Sequence, residues 1–292
     1  MNMTNCHAFE IITPKKVRLS GLWFGPRKSK KVVVWVHGLG SSLFSKLGII
    51  EHLARKDIAV LTFNNRGHDI VSRIADTGET KISKPRLGGS AHEVFEESAD
   101  DIEGALRFAR RAGAKKIYLA GHSTGCQKAI YWASKKNGGR AAKGIILLAP
   151  MSDYSGAIHL EGKRKIARAA AAARALLRRG KKHDLLPAKL WDRPLDAQRF
   201  FSLYSGEGAE EIFTYSQPRV NPRALKSVRR PLLIILAAKD EYADRSARKI
   251  ADWFEKNLKN NSVVQIIKET THSFRGSEKS ISNAIGNWIK LS

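Results

Sequence analysis

Short, unbroken apolar runs recur along this chain, separated by stretches with helical spacing. That alternation constrains the fold more than any other feature. Val32-Val-Val-Trp-Val36 and Ile145-Ile-Leu-Leu148 have no polar side at all. Strands of this kind need cover on both faces, as in the middle of a parallel sheet. The strand-like runs are Phe9–Ile12, Val17–Phe24, Val32–Val36, Ala59–Asn64, Lys116–Ala120, Gly144–Leu148, Leu232–Ala237 and Val263–Lys268. The first two alternate more and suit an antiparallel edge. Helical patterns fill the gaps at Phe44–Lys56, Glu93–Ala112, Thr124–Lys136, Asp244–Asn257 and Ser277–Ile289. Ser90 and Glu93 have the spacing of a capping box and are expected to start the second of these. The pattern predicts an α/β fold: a mostly parallel, eight-stranded sheet with right-handed crossovers and flanking helices.

The alternation breaks between Met151 and about Lys226. This stretch holds a long basic helix pattern and then Pro187, Pro194, Pro218 and Pro222. Long insertions in a compact domain are usually covers or binding segments. Residues 151–225 are therefore expected to form an inserted helical lid, with 1–150 and 226–292 forming the core. A smaller excursion from His68 to Gly89, rich in Gly, Ser, Thr and Lys, is expected as a loop at the same rim.

Residues 121–125 read Gly-His-Ser-Thr-Gly, directly after the run ending at Ala120 and directly before a helical stretch. A serine between a strand and a helix, flanked by small residues, marks a sharp turn that lifts its hydroxyl into an open site. Gly121 and Gly125 are expected to be where a Cβ would clash. The helix that follows directs its free N–H groups and the positive end of its dipole at the same point. Ser123 is thus the candidate nucleophile.

A serine hydroxyl needs a base within reach, and the base needs an anion to hold its tautomer. His272 is the one histidine of nine that follows the last predicted strand. Asp240 follows the strand Leu232–Ala237 through a two-residue turn. Both lie just past C-terminal strand ends, where open parallel sheets place their ligands. Asp244, at the start of the next helix, and Asp153, after the preceding strand, are rival acids. His122 is expected to point away from the site. His37-Gly38-Leu39-Gly40 follows the first central strand, and a glycine-flanked turn there lets backbone N–H groups face a reacting carbonyl. The N–H groups of Leu39 and Thr124 are the candidate oxyanion hole, with His37, Gly38, Gly40, Gly121 and Gly125 as the supporting loops.

With these motifs in order, together with Asn65-Arg-Gly67, the chain resembles the α/β-hydrolase superfamily. Gly121-His-Ser-Thr-Gly-Cys-Gln127, Gly89-Ser-Ala-His-Glu-Val-Phe-Glu96 and Lys239-Asp-Glu-Tyr242 look like the branch containing fungal siderophore (fusarinine-type) esterases. The resemblance implies a serine hydrolase that cleaves a carboxylic ester through an acyl-enzyme. A thioesterase, acyltransferase or peptidase would use the same residues. The resemblance covers the core and leaves most of 151–225 unmatched, so it carries over no particular substrate.

The remaining features bound the alternatives. Aspartate is absent from position 123, which disfavours epoxide-hydrolase and dehalogenase chemistry. Cys126 lies inside the predicted helix and suits packing better than attack. No nucleotide-binding glycine motif and no metal-ligand spacing is present, so no cofactor and no metal are expected. With two cysteines, no secretory pattern and no apolar run of about 18 residues, a cytoplasmic location is expected.

The net charge is +25. Its residues occur along most of the chain, which points to a general bias rather than to a specific nucleic acid partner. Lys163–Lys182 is denser. There Ile166, Ala169, Ala170, Ala173, Leu176 and Leu177 share one helical face, and Arg164, Lys165, Arg168, Arg174, Arg178 and Arg179 the other. A solvated lid face is the expectation. Non-specific contact with an anionic surface, a non-catalytic polyanion-binding role, and steering of an anionic ester are the alternatives.

Overall fold

The computed structural model describes residues 5–54, 57–77, 86–258 and 261–292. Among these, ten strands form one sheet. They are β1 (Cys6–Ile12), β2 (Val17–Phe24), β3 (Lys31–Val36), β4 (Ile58–Phe63), β5 (Ser72–Asp76), β6 (Arg86–Gly88), β7 (Lys116–His122), β8 (Gly144–Leu148), β9 (Leu232–Ala237) and β10 (Val263–Ile267). The order is β10-β9-β8-β7-β3-β4-β2-β5-β6, with β1 on β2. From β10 to β4 neighbouring strands are parallel, whereas the pairings made by β2, and that of β5 with β6, are antiparallel.

The expected eight strands are present, and the count is corrected to ten. The two further strands, β5 and β6, lie in the excursion expected as a loop, whose residues 78–85 fall outside the described ones. Only Ile74 of β5 is buried, so this edge hairpin carries almost no apolar signal.

The helices are α1 (Leu47–Leu53), α2 (Ser98–Arg111), α3 (Thr124–Lys135), α4 (Asp153–Glu161), α5 (Lys163–Arg178), α6 (Ala197–Tyr204), α7 (Arg223–Ser227), α8 (Ala247–Asn257) and α9 (Glu278–Leu291). Helix α1 is shorter than the predicted Phe44–Lys56, whose residues 55–56 fall outside the described ones. Helix α2 begins at Ser98, after a 3-10 turn at Phe95–Glu97, and not at a Ser90–Glu93 box.

The apolar runs of the central strands split by strand parity. Val32, Val34 and Val36 of β3 face the layer that includes α2, α3 and α8, while Val33 and Trp35 face α1 and α9. Leu232, Ile234 and Leu236 of β9 divide from Leu233, Ile235 and Ala237 in the same way. A side-chain period of two with both faces covered is why these runs read as unbroken.

Between β8 and β9 the chain leaves the sheet. Ala157, Ile166, Ala169, Ala173, Trp191, Phe200 and Leu203 form a separate apolar cluster across α4, α5 and α6. Ile212, Phe213, Tyr215 and Leu225 instead join the main core. On α5, Ile166, Ala169 and Ala173 are buried, whereas Arg164, Arg168, Arg178 and Arg179 are exposed. Lys165 pairs with Glu161 and Arg174 with Glu207. Among the described residues no helix is long and apolar enough to cross a membrane.

Candidate active site

The turn between β7 and α3 puts Ser123 at φ 55° and ψ −128°, a left-handed φ that a side-chain-bearing residue adopts only under constraint. The packing around it leaves no alternative. A Cβ on Gly121 would lie 2.3 Å from the Gly125 carbonyl oxygen, and one on Gly125 would lie 2.3 Å from that of Val36. A Cβ on Gly38 would lie 2.9 Å from Ser123 Cβ. The loop after β3 thus passes directly against the serine because position 38 has no side chain. Gly40 adopts a positive φ of 60° in the same loop. Neither the Leu39 nor the Thr124 N–H has a hydrogen-bond partner among the described residues, and Leu39 packs on the α4–α6 cluster.

His272 Nδ1 donates to Asp240 Oδ2 at 2.8 Å. Asp240 Oδ1 accepts the Tyr242 N–H at 3.0 Å, so both carboxyl oxygens are engaged and the side chain is fixed. With its proton on Nδ1, His272 presents an unprotonated Nε2. Ser123 and His272 line one cavity of about 310 Å³ together with Gly38, Leu39, Lys46, His122, Met151, Asp153, Tyr204 and Tyr242. No hydrogen bond joins the Ser123 and His272 side chains among the described residues.

The rival aspartates face other partners. Asp244 is paired with Arg245, at 2.7 Å from Oδ2. Asp153 accepts from Gln127 Nε2 and makes no hydrogen bond to a histidine among the described residues.

Three residues that the sequence reading did not assign hold the His272 loop. Glu241 Oε2 accepts the His272 N–H at 2.9 Å, and Lys46 Nζ donates to the Ser273 carbonyl at 2.8 Å. His122 Nε2 donates to the His272 carbonyl at 3.0 Å. The expectation that His122 points away is corrected: it lines the cavity, with its ring centroid 5.1 Å from that of His272. Burial, then the neighbouring His272, lower its pKa well below the usual imidazole range. It therefore stays neutral and keeps the Nε2 proton that it donates. Glu241 lies beside Asp240 in a motif already singled out, but nothing local shows that it reaches a residue 31 positions away.

His37 is fully buried behind the loop. Its Nδ1 donates to the Gly38 carbonyl at 2.9 Å and its Nε2 accepts the Asn65 N–H at 3.3 Å. Burial, then the Lys128 ammonium, push its pKa down to about 3, consistent with a ring that must accept at one nitrogen. Cys126 is buried, with Sγ directed at the Gly121 and Leu148 carbonyls, and burial pushes its thiol well above the usual range.

Glu93, the expected capping residue, is buried between Lys128 of α3 and Arg199 of α6, with Arg199 at 2.9 Å. Arg199 also pairs with Glu210. This ionic cluster ties α6 to α3 and to the loop that carries Glu93. Among the described residues no group of His, Cys, Asp and Glu side chains has the arrangement of a metal site.

The sheet order, the serine turn after β7 and the acid and histidine loops after β9 and β10 define the fold as that of the α/β hydrolases. Solved structures agree. A siderophore hydrolase, EstB, from Aspergillus fumigatus aligns with a TM-score of 0.68 at 17% identity, over 98% of this chain and 96% of that one. An esterase from Pyrococcus furiosus aligns with a TM-score of 0.62 at 20% identity, over 99% and 91%. An alpha/beta hydrolase, GrgF, from Penicillium sp. sh18 aligns with a TM-score of 0.67 at 16% identity, over 98% of each chain. No curated protein sequence matches the chain. Within the superfamily the chain belongs to the family described as "Protein of unknown function (DUF1749)", which matches residues 88–290.

Proposed function

We propose that the protein is a serine hydrolase that cleaves a carboxylic ester. The observation that carries this reading is the 2.8 Å contact of His272 Nδ1 with Asp240, on the wall of a cavity that also holds the positive-φ Ser123. Ser123 attacks the ester carbonyl as His272 Nε2 takes its proton. Asp240 keeps the other proton on Nδ1 and stabilises the imidazolium. The partnerless N–H groups of Leu39 and Thr124 receive the oxyanion. The alcohol leaves with the proton from His272, and a water activated by the same nitrogen then releases the acid from the acyl-enzyme. The Ser123–His272 hydrogen bond forms in the Michaelis complex, where such contacts tighten. Helices α4 to α6 serve as the lid, with α4 and the end of α6 lining the cavity. Solved esterases of the same fold support this choice among acyl transfers.

The test is hydrolysis of p-nitrophenyl butyrate together with labelling by a fluorophosphonate probe. The protein should turn over the ester and take up the label. Ser123→Ala should do neither while unfolding at the same temperature. Equal turnover by the variant would remove Ser123 from the mechanism. No label on the unaltered protein would point to a binding role for the fold.

A further inference from the structure

Asp153 is the first residue of α4. Its carboxyl lies in the cavity wall with the residue 9% exposed. Gln127 Nε2 donates to Oδ2, and Oδ1 has no partner among the described residues. No cation forms an ion pair with it among those residues. Arg199 and Lys128, whose charges bear on it, are both committed to Glu93, with Arg199 also holding Glu210. Tyr204, the last residue of α6, stands beside Asp153 and lines the same cavity at 7% exposure. Its hydroxyl likewise has no partner among the described residues. Met151, Gly156 and Ala157 supply an apolar surround.

Both oxygens belong to residues that line one cavity and have no protein partner among the described residues, so a ligand in that cavity can supply one. We propose that the Asp153 carboxyl and the Tyr204 hydroxyl form a subsite for an uncharged oxygen of the substrate. The cavity then selects esters carrying a hydroxyl, ether or amide oxygen near the scissile group over plain alkyl esters. The inference rests on the ester-hydrolase reading only in taking this cavity as the substrate site.

The electrostatics fit a donor. Burial, then Glu210 and Glu211, raise the Asp153 pKa well above the usual carboxylate range, against weaker opposition from Arg199 and Lys128. Burial, then Asp153, raise that of Tyr204. The shift at Asp153 favours the uncharged carboxyl, and the Tyr204 hydroxyl is itself an O–H donor, so the pair suits a neutral oxygen.

Binding tests this without turnover. Ser123→Ala protein is titrated, with NMR detection, with ethyl butyrate, ethyl hexanoate and the ethyl esters of 3-hydroxybutyrate, 4-hydroxybutyrate and 6-hydroxyhexanoate. At least one hydroxy ester should bind roughly tenfold tighter than its unsubstituted parent, the scale of one or two net hydrogen bonds. Adding Asp153→Leu should erase that preference while leaving the parent's affinity in place. Asp153→Asn, which keeps a donor, should retain most of it. Tyr204→Phe should lose part of it, and serves as the test if the leucine variant does not fold. The subsite is overturned if no hydroxy ester outbinds its parent, or if the preference survives both Asp153→Leu and Tyr204→Phe. A retained preference in a protein that hydrolyses no ester would sink the hydrolase reading and leave the subsite standing.

Discussion

Asp240, Asp244 and Asp153 stand in comparable positions in the sequence, each near the C-terminal end of a central strand. Their partners separate them. Asp240 reaches the His272 ring, Asp244 is held by Arg245, and Asp153 lies against Gln127. If the proposed triad operates, Asp240→Asn should lower kcat for p-nitrophenyl butyrate by about 10³–10⁴-fold, because an amide favours the wrong imidazole tautomer. Asp244→Asn should stay within about threefold of the unaltered protein, as expected for a substitution away from the reacting groups. Steady-state kinetics of the two variants decide the matter. Comparable losses in both would mean that Asp240 has no special relation to His272. Ser123, His272 and Asp240 could be singled out as candidates because each belongs to a short motif tied to a strand end. Lys46, Glu241 and His122 could not, because their contacts with the His272 loop span 227, 31 and 150 positions.

Among the elements, the central strands announced themselves. Val32–Val36 and Leu232–Ala237 are buried on both faces and hold no polar residue to confuse the pattern. β5 and β6 were missed for the opposite reason: an edge hairpin in solvent needs few apolar residues. The Ser90–Glu93 pattern misled because a capping box is a local signal, whereas Glu93 is claimed by Lys128 and Arg199. Those residues come from α3 and α6, and their burial is what fixes the docking of the helical segment on the core. Arg199→Met should therefore leave the buried Glu93 and Glu210 short of a counter-ion and destabilise the protein by about 3–5 kcal/mol. Urea unfolding monitored by tryptophan fluorescence measures this, since Trp191 lies in the α4–α6 cluster. A change below about 1 kcal/mol, the range of exposed pairs, would mean that the cluster does not anchor the segment.

Across the whole molecule, buried titratable groups pull stability in opposite directions with pH. His37 and His122 stay neutral in the fold because burial depresses their pKa values. The unfolded chain binds protons at both below about pH 6.5, so they cost stability as the solution is acidified. Glu211 acts in reverse. It is mostly buried, accepts a hydrogen bond from Ser152 Oγ at 2.6 Å, and faces Glu210. Burial raises its pKa to about 7. Between the ordinary carboxylate value and about 7 the folded state holds a proton that the unfolded state has released, so this group costs stability as pH rises through that window and no more above it. Glu211→Gln mimics the protonated form and can still accept from Ser152. The variant should match the unaltered protein near pH 4.5 and exceed it by roughly 2–3 kcal/mol at pH 8. Its stability should consequently fall more steeply on acidification, with the histidines less opposed. Chemical unfolding of both proteins at pH 4.5, 6 and 8 checks the difference, and parallel curves would show that Glu211 titrates alike in the folded and unfolded chain.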